Sequence, residues 1–247
     1  MKNLILADVI RILKKRRYWS WLILIALLMA IMALWAGVSN WSSFAYVAWE
    51  NRFFGAVGNL LVSVGIFMDV YGDEFRSKSM QAAIGRGISR KGIIVAKIID
   101  CIILAVIDYL ILGIFEVLLG LLLEARLNAE EMHCLVSSLG TGTFLAICLT
   151  AMVAVIVYAT ENIPIAVFLD IILFYAVPLL LQAAGYNKLL APLHLHRFFV
   201  VGIANNAFSD MMLSGSGAGS LVIGSVVYIG LAYLLSYLVF RKKELEF

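Results

Sequence analysis

The stretch Trp19-Ser20-Trp21-Leu22-Ile23-Leu24-Ile25-Ala26-Leu27-Leu28-Met29-Ala30-Ile31-Met32-Ala33-Leu34-Trp35-Ala36-Gly37-Val38 decides the fold. No charged side chain occurs between Arg17 and Glu50. A hydrocarbon slab about 30 Å thick takes a helix of roughly 20 apolar residues, so one run fills one crossing. The indoles of Trp19 and Trp21 at one end, and of Trp35 and Trp41 near the other, suit the headgroup level. Residues 19–38 are therefore read as a membrane span.

Working outward, five further runs meet the same criterion. They cover about 53–71, ended by Asp69, then 92–123, carrying Asp100, Asp108 and Glu116, then the uncharged 135–160. The next, 163–184, opens with Pro164, where a missing N–H costs little, and Pro178 is expected to kink it. The last is 220–240. The whole chain of 247 residues is 63% hydrophobic and 14% charged, against roughly half and a quarter in an ordinary soluble domain. That balance excludes a soluble enzyme, a disordered chain, a collagen and a disulfide scaffold. The expected fold class is an all-α membrane protein, one transmembrane domain over 1–247 with six spans. Cys101, Cys134 and Cys148 form no metal or disulfide spacing and read as small apolar residues.

Lysine and arginine set the orientation, because cytoplasmic loops hold their excess. With both termini inside, the cytoplasm receives Lys2, Arg11, Lys14, Lys15, Arg16 and Arg17, then Arg76, Lys78, Arg86, Arg90 and Lys91, then Arg241, Lys242 and Lys243. Only Arg52, Arg126, Lys188 and Arg197 fall outside. Residues 2–17 precede the first span as an amphipathic interfacial helix. Ile5, Leu6, Val9, Ile10, Ile12 and Leu13 share an apolar arc opposite Asp8, Arg11, Lys14 and Lys15, with the basic face expected toward anionic lipid. No internal repeat stands out. No G-x-x-x-x-G-K-[ST] occurs, so the chain is not expected to hydrolyse ATP by that route.

The loop 73–91 carries the mechanism. Asp73 and Glu74 suit a helix N-terminus, residues up to Ile84 are fair helix formers, and Gly85 and Gly87 stop the helix. A three-turn helix is marginal alone in water, so this one reads as a docking element for a soluble partner.

Glu74, Ser79, Gly87, Ser89, Arg90 and Lys97 stand in an order that resembles the signature of ABC-2-type exporter permeases: an acid closing span two, a hydroxyl residue, a short helix, a turn, Ser-Arg and a downstream lysine. Gly87-Ile88 replaces the usual proline, and Lys78-Ser79 the common Gly-Thr pair. The resemblance covers the whole chain and is greatest for permeases that export antimicrobial peptides or bacteriocins. It implies that 73–91 is a coupling helix, with Glu74, Phe75, Ser79, Met80, Ala83, Gly87, Ser89 and Arg90 serving the contact with a separate ATP-binding-cassette ATPase. Two ATPases would pair with two permeases, whether as a homodimer or with a sibling. ATP and magnesium would be held on the partner subunit, with no cofactor and no metal on this chain. The implied setting is a bacterial cell membrane and the implied cargo an amphipathic peptide; no nucleic acid is involved.

Carboxylates inside a bilayer are costly and are functional candidates by default. Asp108, Glu116 and Asp170 are the translocation-path candidates, and Lys97 with Asp100 can pair at i and i+3. The segment 185–219 is expected to form short helices dipping partly back from outside. Within it, Leu189 to Leu193 and Phe198 to Val201 are apolar, and Ser214 to Ser220 reads as a flexible entry to the last helix. His194 and His196, with His133 distant, are a weak metal signal. A proton-coupled secondary transporter using Asp108, Glu116 and Asp170 is the rival function. An intramembrane hydrolase has little support, because Glu130, Glu131 and His133 are placed in an outer loop and Ser137, Ser138 and Thr141 have no histidine partner nearby.

Overall fold

The computed structural model describes residues 2–35, 43–77, 79–85, 87–124, 127–185 and 194–242. Among them the regular structure is helical throughout. The elements are α1 (Lys2–Leu13), α2 (Arg16–Trp35), α3 (Ser43–Phe53), α4 (Asn59–Phe67), α5 (Asp73–Ser77), α6 (Ser79–Gly85), α7 (Arg90–Leu122), α8 (Ala129–Thr160), α9 (Ile163–Ile171), α10 (Val177–Ala184), α11 (Leu195–Phe198), α12 (Val200–Ser214) and α13 (Ala218–Lys242). The protein is a multi-pass membrane protein. Among the described residues, five helical runs are long and apolar enough to cross a bilayer: α2, α7, α8, Ile163–Ala184 and α13.

The expected span 53–71 is not among those five, so five candidate spans stand where the sequence reading expects six. That stretch lies inside a helical run from Ser43 to Ser77, widened into π turns at Phe54–Gly58 and Met68–Gly72. The residues flanking both turns, Phe53 and Asn59, Phe67 and Asp73, keep right-handed helical dihedrals. A third π turn, Ile172–Ala176, stands just before Pro178. Proline lacks the N–H that the carbonyl four residues back would accept, and the helix widens there.

α8 is the central element, in contact with α4, α7, α9, α12 and α13. Small residues permit this: a Cβ at Gly142 would fall on the Tyr109 ring and the Asn59 side chain, so α7 and α4 close on bare backbone. Outward-facing apolar side chains such as Leu110, Ile114 and Leu121 on α7, and Val222, Val226 and Leu234 on α13, form the lipid-facing exterior.

The helix ends correct several expectations. α8 starts at Ala129, capped by Asn128, whose side chain accepts from the N–H of Glu130 and Glu131 while Glu131 reaches back to the Asn128 N–H. Glu130, Glu131 and His133 thus belong to the first turns of a helix rather than to a loop, because this capping box extends it. The first span begins three residues earlier than read, and residues 36–38 and Trp41 lie outside the described residues, as do Leu189 to Leu193. The Ser214–Ser220 stretch links the end of α12 to the start of α13. Gly215 takes φ +70° as its N–H bonds to Met211 O, and Gly217 lies against the backbone of Ala207. α12 packs Val200, Ala204 and Ala207 onto Phe144, Leu145 and Cys148 of α8.

Candidate functional site

At one end of the bundle α1, α2, α5 and α7 meet through charge. Lys97, on α7, is nearly sealed from solvent and faces three carboxylates: Asp8 at 2.8 Å, Glu74 at 3.1 Å and Asp100 at 3.6 Å. Glu74 also accepts from Arg11 at 2.6 Å, and Arg11 lies 3.3 Å from Asp8. Lys15 donates to Asp73 at 2.5 Å, and Arg17 spans Asp69 and Asp73 at 2.9 and 3.3 Å. Ion pairs drawn from four elements and partly withdrawn from water fix relative positions, since each charge left alone there is costly. Outside the membrane-spanning segments, the hydrogen bond from Lys15 holds the Asp73 carboxyl below its ordinary range, with burial working against it and the charges of Lys15, Arg17 and Arg11 adding to it.

This geometry alters the reading of α1. Val9 and Ile12 are buried and α1 contacts α7, yet Leu6 and Ile10 of the predicted apolar arc remain exposed. Asp8, Arg11 and Lys15 turn toward α5 and α7 instead of outward. Three of the four polar-side residues are paired within the chain, and Lys14 is exposed.

The coupling set divides. Glu74 is buried in the ion cluster, and Met80 lies in the core with Ala83 packed against it. Phe75 stands edge-on to Tyr158 at 5.9 Å, and Tyr158 in turn meets Phe240 of α13 at 5.1 Å. Arg90 donates to Phe240 O at 2.6 Å and sits 5.4 Å over the same ring. Gly87 takes φ +88°, a conformation that favours glycine, and Ser89 caps α7 by accepting from the Gly92 N–H at 3.1 Å. Gly85, Gly87 and Ser89 are exposed. α6 carries Ser79 in its first turn. A cleft of about 410 Å³ lies beside Phe75, lined also by Glu161, Asn162, Ile163 and Pro164.

The path candidates do not converge. Asp108 accepts from Tyr18 Oη at 2.5 Å, across the α7–α2 contact. Asp170 accepts from Ser63 Oγ at 2.7 Å, across α9–α4. Glu116 is fully buried with no hydrogen bond to either carboxylate oxygen, and its charged neighbour is Glu50 of α3. Sequence reasoning did not select Glu50, Asp8 or Asp69 as site residues. Glu50 entered only as the end of an uncharged run; the signal that could have found it is the aromatic spacing Tyr46-Trp49-Phe53, which gives Glu50 a helix to sit on.

A family model described as ABC-2 family transporter protein matches residues 12–178. That is more than half of the chain, and the protein belongs to this family: it is the transmembrane permease component of an ABC transporter. No curated protein matches it. Membership implies an ABC ATPase as partner.

Proposed function

We propose that this permease exports an amphipathic substrate, a peptide of the antimicrobial or toxin type, outward across a bacterial cell membrane. Two copies of a separate ATPase supply the energy, holding ATP and magnesium, and two permeases line the path. In this reading the run 53–71 is a sixth crossing and both termini are cytoplasmic.

The observation that carries it is the anchoring of α5 and α6. Glu74 is gripped by Arg11 and Lys97, Phe75 leans on Tyr158, and Arg90 holds the last carbonyls of α13. A segment fixed to α1, α7, α8 and α13 at once is suited to pass a push from below to the spans. Glu74, Phe75, Met80 and Arg90 then transmit, while Gly85, Gly87 and Ser89 with the outer side of α6 are left for the ATPase. Purifying the chain from its native membranes tests this: a soluble ATP-hydrolysing protein comes with it in equal number, and its absence sinks the reading.

The unbonded oxygens of Glu116 and Asp170 favour a second reading, proton-coupled transport through Asp108, Glu116 and Asp170. It gives the anchored segment no task. Transport that collapses with the proton gradient while ATP stays high distinguishes it.

A further inference from the structure

Away from the ion cluster, a cleft of about 350 Å³ lies between α3, α4, α8 and α12. Its polar lining is Asn51, Asn59, Ser138, Thr141 and Asn205; Phe54, Phe174 and Phe208 supply aromatic surface. None of its lining residues is basic. Glu50 stands behind this wall: its Oε1 accepts from Ser138 Oγ at 3.2 Å, while its Oε2 is buried with no hydrogen-bond partner. Glu116, whose two oxygens are also unbonded, is its electrostatic neighbour.

The hydrogen-bond inventory of the wall is one-sided. Ser138 spends its proton on Glu50, and Thr141 spends its own on the carbonyls of Ser137 and Ser138 at 3.1 and 2.9 Å. Asn51 donates to Val47 O at 3.1 Å and to Cys134 Sγ at 3.5 Å. What these three side chains retain is lone pairs: two hydroxyl oxygens and one amide carbonyl. Asn59 and Asn205 differ: the Asn59 carbonyl accepts from Tyr109 Oη at 2.5 Å and leaves its NH2, and the Asn205 amide brings both a donor and an acceptor. A hydrophobic cleft that offers acceptors, aromatic surface and a carboxylate behind one hydroxyl fits a group with several N–H donors and a positive charge. It repels an anionic headgroup. A cation seated there favours the ionised form of Glu50, since a buried charge persists when it is paired.

We propose that this cleft is a binding site for a primary ammonium group, with Asn51, Ser138 and Thr141 as acceptors and Glu50 as counter-ion. The site rests on the export reading for its purpose: it holds the amine of a cationic cargo, or of an aminolipid headgroup, beside α12. Its chemistry is independent of the ATPase.

The test titrates the purified full chain, in nanodiscs of phosphatidylcholine, with 2-phenylethylammonium, benzyltrimethylammonium and 2-phenylethanol, subtracting empty discs. The expected result is saturable binding of the primary ammonium at least tenfold tighter than that of the quaternary ion or the alcohol. Glu50→Gln weakens the primary ammonium by at least tenfold and leaves the alcohol unchanged. Asn205→Phe, at an exposed position on α12, weakens all three by filling the cleft, and covers the case in which Glu50→Gln does not fold. Phosphatidylethanolamine added to the discs competes if the natural occupant is a lipid amine, and is inert if it is a soluble cargo; either result keeps the ammonium site. Equal binding of the three probes, no saturable binding, or undiminished binding to a folded Glu50→Gln overturns it. ATPase co-purification is scored separately, so failure here leaves the export reading untouched and the reverse also holds.

Discussion

Arg11 of α1 and Glu74 of α5, 63 residues apart in sequence, stand 2.6 Å from each other, and Lys97 of α7 meets the same Glu74 oxygen at 3.1 Å. One carboxylate therefore holds the N-terminal helix and α7 against the segment assigned to coupling. Any movement of α5 is felt by both.

Removing the cation at the centre of this cluster leaves Asp100 with no cation and leaves Asp8 and Glu74 to share Arg11 alone. Lys97→Met is expected to destabilise the fold by about 3–5 kcal/mol, the scale for stripping one partner from a buried ion pair. Thermal unfolding in detergent measures it. A midpoint equal to that of the unsubstituted chain would show that the cluster is hydrated and weak.

Arg90 donates to the carbonyls of Phe240 and Arg241 in the last described turn of α13. Arg90→Ala should loosen that last turn, raising amide exchange over 236–242 several-fold without altering the middle of α13. Arg90→Lys keeps the charge and loses the two-carbonyl fork, so it should fall between the two.

Tyr18 Oη is the hydrogen-bond partner of Asp108 within the α2–α7 contact. Tyr18→Phe leaves a buried carboxyl without its donor and should cost about 1–3 kcal/mol. If Asp108 lines the path instead of cementing α2 to α7, the same change will alter transport while the unfolding midpoint stays put.

How much of this was legible in the sequence depends on range. The apolar runs gave α2, α7, α8, α9–α10 and α13 to within a few residues, since burial in lipid demands length and little else. Gly87 and Ser89 were legible for local reasons, a left-handed turn and a helix cap. Asp8 was not. Its place on the polar arc of α1 pointed outward until Lys97, 89 residues on, was seen to face it. Glu50 was missed for a similar reason: it falls between the expected spans 19–38 and 53–71, and its partner Ser138 lies 88 residues away. Asp108 and Glu116 stood out as carboxylates within one apolar run, but which neighbour each meets depends on α2 and α3.

The Asp73 carboxyl sits below its ordinary range chiefly through the hydrogen bond from Lys15. The folded state thus favours its ionised form. That contribution is complete above the unfolded carboxyl value of about 3.9 and disappears as pH falls through the lower folded value. Stability followed by unfolding between pH 3 and 6 should decline more steeply below pH 4 in the unsubstituted chain than in Asp73→Asn. Identical profiles would remove the Lys15–Asp73 pair from the account.

The central claim, that the segment after Asp73 is gripped by a separate ATPase, is tested most directly by cross-linking from Gly85. That glycine is exposed, and a Cβ placed on it meets nothing within 4 Å. Gly85→Cys carrying a thiol-reactive benzophenone, illuminated in native membranes, should give an adduct with an ATP-binding protein, and Leu213→Cys on α12 should give none. An adduct from position 213 with the same protein, or none from position 85, would contradict the account.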